Sequence, residues 1–310
     1  MNCCVTGGCG FIGSHIVDAL LAAGHEVTVL DDLSTGFLEN LNPKAKHIKK
    51  SITDFEAVKE AFQGVDWVFH PAAWARVVRS VEDPIGTHNV NVNGTLNVFW
   101  AAKECGVKRI IYSSSSSVNG DQDTHIMRED MSTAPKSPYA LHKLIGEQYA
   151  TLFARIYEMD IVSLRYFNVY GPRQLVEGAY ALVIGKFLRQ ASQGEGLTIY
   201  GDGEQTRAYT YVGDVVRANL MAAEAQLESN QNTILNIGTG QETSVNEVAA
   251  KISDDVKHII PNPRGELEEL RKVADYSKAK RVLGWEPEVN FDEGMRLVLE
   301  DFKKEQAELA

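Results

Sequence analysis

The stretch VTGGCGFIGS at residues 5–14 decides the fold, because a strand end, a glycine turn and a helix start follow one another in it. Its glycines fit two phosphate-binding patterns, G-x-G-x-x-G from Gly8 and G-x-x-G-x-x-G from Gly7, and both run through Gly10 to Gly13. Such a turn lets a pyrophosphate approach the backbone, and the helix that follows directs its free N–H groups and positive dipole end at the anion. The stretch predicts a phosphate-binding loop, although the glycines alone also fit an ordinary α/β turn.

An acidic residue after the second strand narrows the expected ligand to a dinucleotide. Apolar runs at 2–6 and 26–30 flank a helical pattern at 14–23, and this order is typical of a βαβ unit. Asp31 follows the second run, about 20 residues beyond the glycines, where an acidic side chain hydrogen-bonds the adenosine ribose. Asp31 and Asp32 would also repel a 2′-phosphate, so the predicted cofactor is NAD.

Composition excludes several classes of protein. The chain has 310 residues, of which 44% are hydrophobic, so it can bury a large core and is long enough for two lobes. A net charge of −11 argues against a nucleic-acid partner. The four cysteines form no C-x-x-C pair, and no basic segment with an apolar run opens the chain, so we expect a cytoplasmic protein without a membrane partner. The eight histidines are scattered, which predicts no metal site.

The rest of the chain predicts an α/β fold, a Rossmann doubly wound parallel sheet with a smaller C-terminal α/β lobe. Buried strands are expected at 65–70, 108–112 and 160–165, with helices at about 55–63, 86–105 and 138–156. Beyond residue 172 the regular alternation loosens. We therefore expect an NAD-binding domain at 1–165 to which the chain returns at about 208–236, and a substrate lobe made of 166–207 and 237–310.

Two further patterns indicate ligand-binding and catalytic side chains. A run of serines, 113–117, follows the strand expected at 108–112, and ligands gather beyond the carboxyl ends of parallel strands. Tyr139 and Lys143 are spaced i, i+4 and so share one helix face. A lysine ammonium one turn away would lower the pKa of the tyrosine from about 10 towards a value useful for a general base. An ordinary Tyr/Lys pair on a helix has the same spacing.

Together these motifs resemble the extended short-chain dehydrogenase/reductase family, and within it the UDP-sugar 4-epimerases. The resemblance covers nearly the whole chain and rests on motifs in the family's order: TGGCGFIG at 6–13, HPAA at 70–73, the serine run, YALHK at 139–143 and RYFNVYGP at 165–172. It implies an NAD-dependent isomerase that interconverts UDP-glucose with UDP-galactose, or the N-acetylated pair.

The resemblance also implies the roles of the catalytic residues. Ser115 would pair with Tyr139 at the sugar O4, and Lys143 would bridge the nicotinamide ribose. Tyr139 as phenolate would remove the 4-OH proton while NAD accepts a hydride from C4, and rotation of the 4-keto sugar would present its other face for hydride return. Such a redox-neutral cycle gives the protein reason to retain its NAD.

Binding residues follow from the same resemblance, and no metal is implied. Around NAD it places Gly7, Gly10, Phe11, Ile12, Gly13, Asp31, Asp32, Ser34, Thr35, Gly36, Ser51, Ile52, Pro71, Ala72, Ala73, Ser113, Tyr139, Lys143 and Phe167. Around the UDP-sugar it places Arg76, Ser115, Tyr139, Asn168, Leu197, Thr198, Ile199, Tyr200, Arg207, Arg264 and Lys272. A homodimer through a four-helix bundle of the helices at 86–105 and 138–156 is also implied.

Departures from the family pattern leave the substrate open. Ser51 stands where an acidic residue usually meets the adenine, and Lys272, at the sugar-pocket gate, is neither the small residue that admits an N-acetyl group nor the aromatic that excludes it. The segment 178–181 is similar to N-acetylhexosamine epimerases. Asn119, His142 and Ala208 replace usual residues, and Arg264 sits one residue closer to the following Gly-Glu pair than usual.

Two alternative functions remain. A nucleotide-sugar 4,6-dehydratase or decarboxylase needs further proton-transfer groups, and residues 115–118 supply no carboxylate. A non-catalytic NAD-sensing module has no need of Ser115, Tyr139 and Lys143 together.

Overall fold

The computed structural model describes residues 1–175, 182–228, 230–260 and 271–309. Its strands are β1 (Asn2–Thr6), β2 (Glu26–Leu30), β3 (Lys46–Ile48), β4 (Trp67–His70), β5 (Arg109–Ser115), β6 (Ile126–Met127), β7 (Asp160–Tyr166), β8 (Val169–Tyr170), β9 (Leu197–Tyr200), β10 (Thr206–Arg207), β11 (Thr210–Tyr211), β12 (Asn232–Ile237), β13 (Thr243–Ser244), β14 (Val256–Ile259) and β15 (Val273–Ala274). Its helices are α1 (Phe11–Ala22), α2 (Phe55–Ala61), α3 (Val77–Glu82), α4 (Pro84–His88), α5 (Thr95–Cys105), α6 (Pro138–Tyr157), α7 (Val183–Ser192), α8 (Val212–Glu224), α9 (Val245–Ala250), α10 (Ser277–Leu283) and α11 (Phe291–Leu309).

Seven parallel strands form the main sheet in the order β12-β7-β5-β4-β1-β2-β3. The interior strand β1 pairs with β2 on one side and with β4 on the other, so the strand order reverses at β1. A ligand crevice is expected at this reversal, beyond the carboxyl ends of the strands. The predicted doubly wound parallel fold is confirmed.

Both faces of the sheet are covered by helices, which explains its runs of buried valine and isoleucine. On one face α1 and α8 bury apolar side chains such as Leu20 and Val215, and on the other α2, α5 and α6 bury Phe62, Phe99 and Phe153. These two layers hold the strand ends in fixed positions.

A second core lies in the smaller lobe. It is built around α7, α9 and α11 and the parallel pair of β9 and β14, with Phe187, Leu197 and Val248 fully buried. The C-terminal segment contributes to both cores. Ala279 of α10 and Trp285 pack into the core of the main sheet, whereas α11 packs into the core of the smaller lobe. The Trp285 indole N–H donates to the Asp214 carbonyl at 2.9 Å.

Three local features differ from the expected pattern. Strand β5 continues to Ser115, and the remaining serines enter a 3-10 turn at Ser116–Asn119. The long helix expected at 86–105 is interrupted by a π-helical segment, Asn89–Gly94, which joins α4 to α5. The short helix α3 has no counterpart among the expected elements. No helix in the described ranges combines the length and apolar composition needed to cross a membrane.

Candidate active site

The glycine turn forms the floor of the crevice. Gly7 has φ +68 and accepts a hydrogen bond on its carbonyl oxygen from the Gly10 N–H at 3.1 Å. Gly10 is the N-cap of α1 and no side chain caps this end, so the first helical N–H groups are available to an anion. A Cβ on Gly7 would lie 2.8 Å from the Ala72 Cα, and a Cβ on Gly13 would overlap the Gly7 carbonyl.

Gly8 has a different role from the other three glycines. A Cβ on Gly8 would lie 2.8 Å from both methyl groups of Val29. Gly8 therefore lets α1 approach β2 closely, while Gly7, Gly10 and Gly13 shape the turn itself.

Gly13→Ala is expected to weaken NAD binding at least about tenfold, equivalent to ~1.4 kcal/mol. The added methyl group displaces the Gly7 carbonyl and with it the turn that faces the pyrophosphate. NAD bound by the purified protein would be measured by release and absorbance. Gly240→Ala is the matched control, because its Cβ meets nothing nearer than 3.9 Å. Equal NAD content in both variants would contradict the assigned role.

Asp31 ties the glycine turn to the end of β2. It is buried, and its carboxylate oxygens accept the Cys9 N–H at 2.9 Å and the Leu33 N–H at 2.8 Å. Burial raises the pKa of Asp31, and these two hydrogen bonds oppose the rise. Nearby, a Cβ on Gly36 would lie 2.8 Å from the Cys9 carbonyl carbon, so the loop after Asp31 wraps over the turn. Exposed Asp32, Ser34 and Thr35 form the rim.

His70 anchors the opposite wall. Its fully buried ring is hydrogen-bonded through Nδ1 to Thr6 Oγ1 at 2.7 Å and through Nε2 to Thr95 Oγ1 at 3.0 Å. Burial lowers the pKa of His70 to about 3, so the ring is neutral near pH 7. His70 thus joins β1, β4 and α5, and it fixes the start of the half-buried segment 71–73 against the glycine turn.

Ser115 and Tyr139 meet at the carboxyl end of β5. Ser137 caps α6 by accepting the Ala140 N–H at 3.2 Å, and this places Tyr139 in the first turn. Tyr139 is half-buried and its hydroxyl is hydrogen-bonded to Ser115. Ser115 Oγ also accepts a hydrogen bond from the Ser117 hydroxyl at 2.9 Å.

Lys143 lies one turn further along α6. Its buried ammonium donates to the Ser113 carbonyl at 2.6 Å. Burial lowers the pKa of Lys143 to about 7, and the Glu147 carboxylate opposes this effect. The structure therefore brings Ser113, Ser115, Tyr139 and Lys143 into one cluster.

The pKa of Tyr139 differs from the expected direction. It is raised, because burial outweighs the hydrogen bond from Ser115 and the charge of Arg76, both of which lower it. The Lys143 ammonium is turned towards Ser113 and does not supply the expected depression. The cation that acts on Tyr139 is Arg76, which precedes α3.

A cavity of about 160 Å³ lies in the smaller lobe, and its lining includes Asn168, two residues beyond the Tyr166 that pairs with Ser115. Its walls include Asn168, Thr198, Ile199, Tyr200 and Arg207, all expected to contact the UDP-sugar. Lys186, a cationic residue of this wall, was not predicted. Its ammonium donates to the Thr198 carbonyl at 3.3 Å and lies 4.3 Å from the Tyr200 ring centroid. A lone lysine on an amphipathic helix carries no spacing signal.

Four expected contact residues have buried apolar side chains. Leu197 and Ile199 pack into the core of the smaller lobe, and Phe167 packs against Met127 and Ala274. The buried Ile52 side chain lies against Gly94, and its carbonyl accepts a hydrogen bond from the Asn97 amide at 3.1 Å.

The remaining predicted residues are placed as follows. Lys272 is buried and its ammonium approaches the Ser116 carbonyl at 3.5 Å, beside the catalytic turn. Ser51 accepts the Thr53 N–H at 3.3 Å. Phe11 and Ile12 are half-buried in the first turn of α1. Arg264 and the segment 178–181 lie outside the described residues. Within the described ranges no three metal-ligating side chains come together.

Comparisons with known proteins agree with this geometry. Residues 3–238 match the model of the NAD dependent epimerase/dehydratase family. The chain is 38% identical over 315 residues to a UDP-glucose 4-epimerase of Mycolicibacterium smegmatis, covering 98% of this chain and 99% of that protein.

Solved structures are similar over the whole chain. A Thermotoga maritima UDP-glucose 4-epimerase with UDP-glucose superposes with a TM-score of 0.93 at 40% identity, covering 99% of this chain and 100% of that one. A UDP-N-acetylglucosamine 4-epimerase of Methanobrevibacter ruminantium, in complex with UDP-N-acetylmuramic acid, gives a TM-score of 0.91 at 37% identity, with 98% of each chain covered.

Proposed function

The chain belongs to the NAD dependent epimerase/dehydratase family, and on that premise we propose that it inverts C4 of a UDP-hexose. The substrates are UDP-glucose and UDP-galactose or the N-acetylated pair, and the enzyme is an NAD-dependent isomerase. The observation that carries this proposal is the cluster of Ser115, Tyr139 and Lys143 at the carboxyl end of β5, on the same edge of the parallel sheet as the glycine turn after β1.

The crevice fits NAD. An uncapped helix N-terminus faces a turn in which added Cβ atoms would fill the space beside Gly7 and Gly13, and the buried Asp31 carboxylate stands at the end of β2. When bound, NAD supplies reversible acceptance of a hydride from C4 of the sugar. We assign Gly7, Gly10 and Gly13 to the pyrophosphate, Asp31 to the adenosine ribose and Lys143 to the nicotinamide ribose.

On the sugar side, Tyr139 and Ser115 hold the 4-hydroxyl. Tyr139 in its phenolate form accepts the 4-OH proton as C4 is oxidised, and the same hydroxyl returns that proton when the 4-keto sugar is reduced on its other face. Ser115 is hydrogen-bonded to Tyr139 and so orients both groups. These residues end the cycle in the protonation state in which they began it.

The cavity of the smaller lobe suits a nucleoside diphosphate. A guanidinium can bind phosphate oxygens through two hydrogen bonds, which fits Arg207, and Asn168 offers an amide beside it. Thr198 and Tyr200 form the wall we assign to the uracil. A dehydratase or decarboxylase is disfavoured because the turn after β5 supplies hydroxyls and no carboxylate.

We also propose separate binding regions for NAD and for the UDP-sugar, and a homodimer. Residues 1–165 with 208–236 would bind NAD, and the remaining residues would bind the UDP-sugar. Exposed apolar side chains on α6, Leu141, Leu152 and Ile156, support pairing of α5 and α6 with a second copy, which light scattering would detect. Cytoplasmic location stays a prediction.

Product analysis tests the function. Incubation with UDP-glucose, UDP-N-acetylglucosamine and UDP-glucuronate in parallel is expected to yield a C4 epimer of at least one of the two neutral sugars, with the same equilibrium mixture reached from either epimer. A 4-keto-6-deoxy sugar or a decarboxylated pentose would establish the alternative activity instead. No conversion of any of the three by NAD-loaded protein would contradict the proposal.

A further inference from the structure

Arg76 is a half-buried cation in the active site whose role the preceding function leaves open. It stands immediately before α3, and in the described part of the chain no carboxylate forms an ion pair with it. Its electrostatic partner is Tyr139, with which it interacts favourably when the phenol is ionised. The sequence alone suggested a sugar contact for Arg76, whereas in the structure its charge lowers the pKa of Tyr139, and Ser80 links the two backbones.

The segment that carries Arg76 is clamped on its N-terminal side. The Trp74 N–H donates to Asn91 Oδ1 at 2.8 Å, and the Asn91 amide donates back to the Trp74 carbonyl at 3.0 Å. Asn91 is buried and belongs to the π-helical segment between α4 and α5. The Arg79 guanidinium stacks 3.4 Å from the Trp74 ring centroid and covers the clamp.

A second set of hydrogen bonds, here called the Ser80 lock, joins α3 directly to the catalytic tyrosine. The Tyr139 N–H donates to Ser80 Oγ at 3.1 Å, and the Ser80 hydroxyl donates to the Val77 carbonyl at 2.6 Å. The Ser80 N–H in turn donates to the Arg76 carbonyl at 3.0 Å. The first turns of α3 and α6 are therefore bonded to each other, with Arg76 at one end and Tyr139 at the other.

The other polar and ionisable groups around Tyr139 supply no permanent positive charge directed at it. Strand β5 contributes hydroxyls, and Lys143 on α6 is turned to the Ser113 carbonyl with a pKa lowered to about 7 by burial. On the side of α4, His88 and His142 stack with ring centroids 5.1 Å apart, and burial lowers the pKa of His142 to about 4. A guanidinium stays charged at every working pH. Tyr112 and Ser80 add further hydroxyls, and the Glu147 carboxylate acts on Lys143.

We propose that Arg76 is a positioning residue for the catalytic base: its fixed charge, held by the Trp74 clamp and the Ser80 lock, stabilises the Tyr139 phenolate. This proposal rests on the proposed function, in which Tyr139 must be deprotonated to act. In this proposal the two cations have different roles: Arg76 stabilises the Tyr139 phenolate, and Lys143 binds the nicotinamide ribose.

The test is the pH profile of kcat/KM for Arg76→Gln and Arg76→Lys. Loss of the positive charge raises the pKa of Tyr139, so the acidic limb of the Arg76→Gln profile is expected to move to higher pH by about one unit. Near pH 7 this is about a tenfold loss that recovers as the pH rises. Arg76→Lys keeps the charge and is expected to hold the limb near its wild-type position.

Arg281→Gln is the control, because it removes the same charge from an exposed position on α10, outside the Trp74 clamp and the Ser80 lock. Its profile is expected to keep the wild-type limb. A second readout is independent of turnover: the ultraviolet absorbance of the phenolate, titrated as a difference between each protein and its Tyr139→Phe counterpart. The Arg76→Gln difference is expected to titrate at higher pH.

The possible outcomes separate the proposal from its rivals. A higher KM for the UDP-sugar with an unmoved limb would make Arg76 a substrate contact and overturn the proposal. A loss that is equal at every pH, with no rescue by lysine, would make it structural and also overturn it. Wild-type turnover by Tyr139→Phe would instead remove the proposed function, whatever the Arg76 variants show.

Discussion

Tyr139→Phe is expected to lower kcat about 10²- to 10⁴-fold, the range that a positioned general acid–base group contributes. The change deletes only the hydroxyl that meets Ser115, and the ring keeps its place because the backbone of the first turn of α6 is fixed by Ser137 and Ser80. NAD content and the circular dichroism spectrum should therefore stay as in the wild type.

The direction of the pH dependence follows from the Tyr139 environment. Burial raises the pKa of Tyr139, so most of the unliganded protein carries the neutral phenol near pH 7. The kcat/KM of the wild type is thus expected to rise with pH until the phenolate predominates. Tyr149→Phe, on the same helix and packed against Phe153, is the control that should keep wild-type kcat. An unchanged kcat for Tyr139→Phe would contradict the assignment of the base.

Glu147→Gln is expected to destabilise the fold by about 3–5 kcal/mol, the cost of leaving one partner of a buried ion pair uncompensated. The side chains of Glu147 and Arg165 are each 3% exposed, and the guanidinium donates to both carboxylate oxygens at 2.8 Å. The Ser114 hydroxyl donates to the same carboxylate at 2.6 Å. With glutamine, the Arg165 charge stays buried without a counter-charge.

Urea unfolding monitored by circular dichroism measures this effect. Glu293→Gln is the control, because Glu293 pairs with Arg296 on the exposed face of α11 and its loss should change the midpoint little. Replacing Glu147 and Arg165 together by apolar residues of similar size should recover part of the lost stability, since no charge is then left unpaired. A Glu147→Gln midpoint equal to that of the wild type would show that the pair does not hold α6 to the sheet.

The sequence predicted those parts of the site that depend on short spacings between residues. The glycine turn, Asp31 and the Tyr139–Lys143 pair depend on spacings within one βαβ unit or one helix turn, and all of them reach the crevice. Family and fold class are likewise confirmed. Parallel strands bring their carboxyl ends to one edge of the sheet, so residues far apart in sequence could be expected there.

Tertiary contacts determined the rest. The pairing of Glu147 with Arg165 and the clamp of Asn91 on Trp74 join separate elements, and no spacing indicates them. Burial reversed the expected shift of the Tyr139 pKa because it outweighs the nearby charges. Strand β9 alternates between buried and half-buried residues, so the period of two already placed Leu197 and Ile199 on the face opposite Thr198.

The return of the chain to its main sheet has a consequence for folding and for gene engineering. The edge strand β12 pairs with β7 along six residue positions, from Asn232 with Ile161 to Ile237 with Tyr166, and Trp285 completes the core beneath α8. During synthesis six of the seven strands are complete by Tyr166, but β12 follows only after an intervening stretch that includes α7 and α8. A fragment ending at Arg165 therefore has neither the edge strand of the main sheet nor the buried Trp285, and we expect it not to fold on its own.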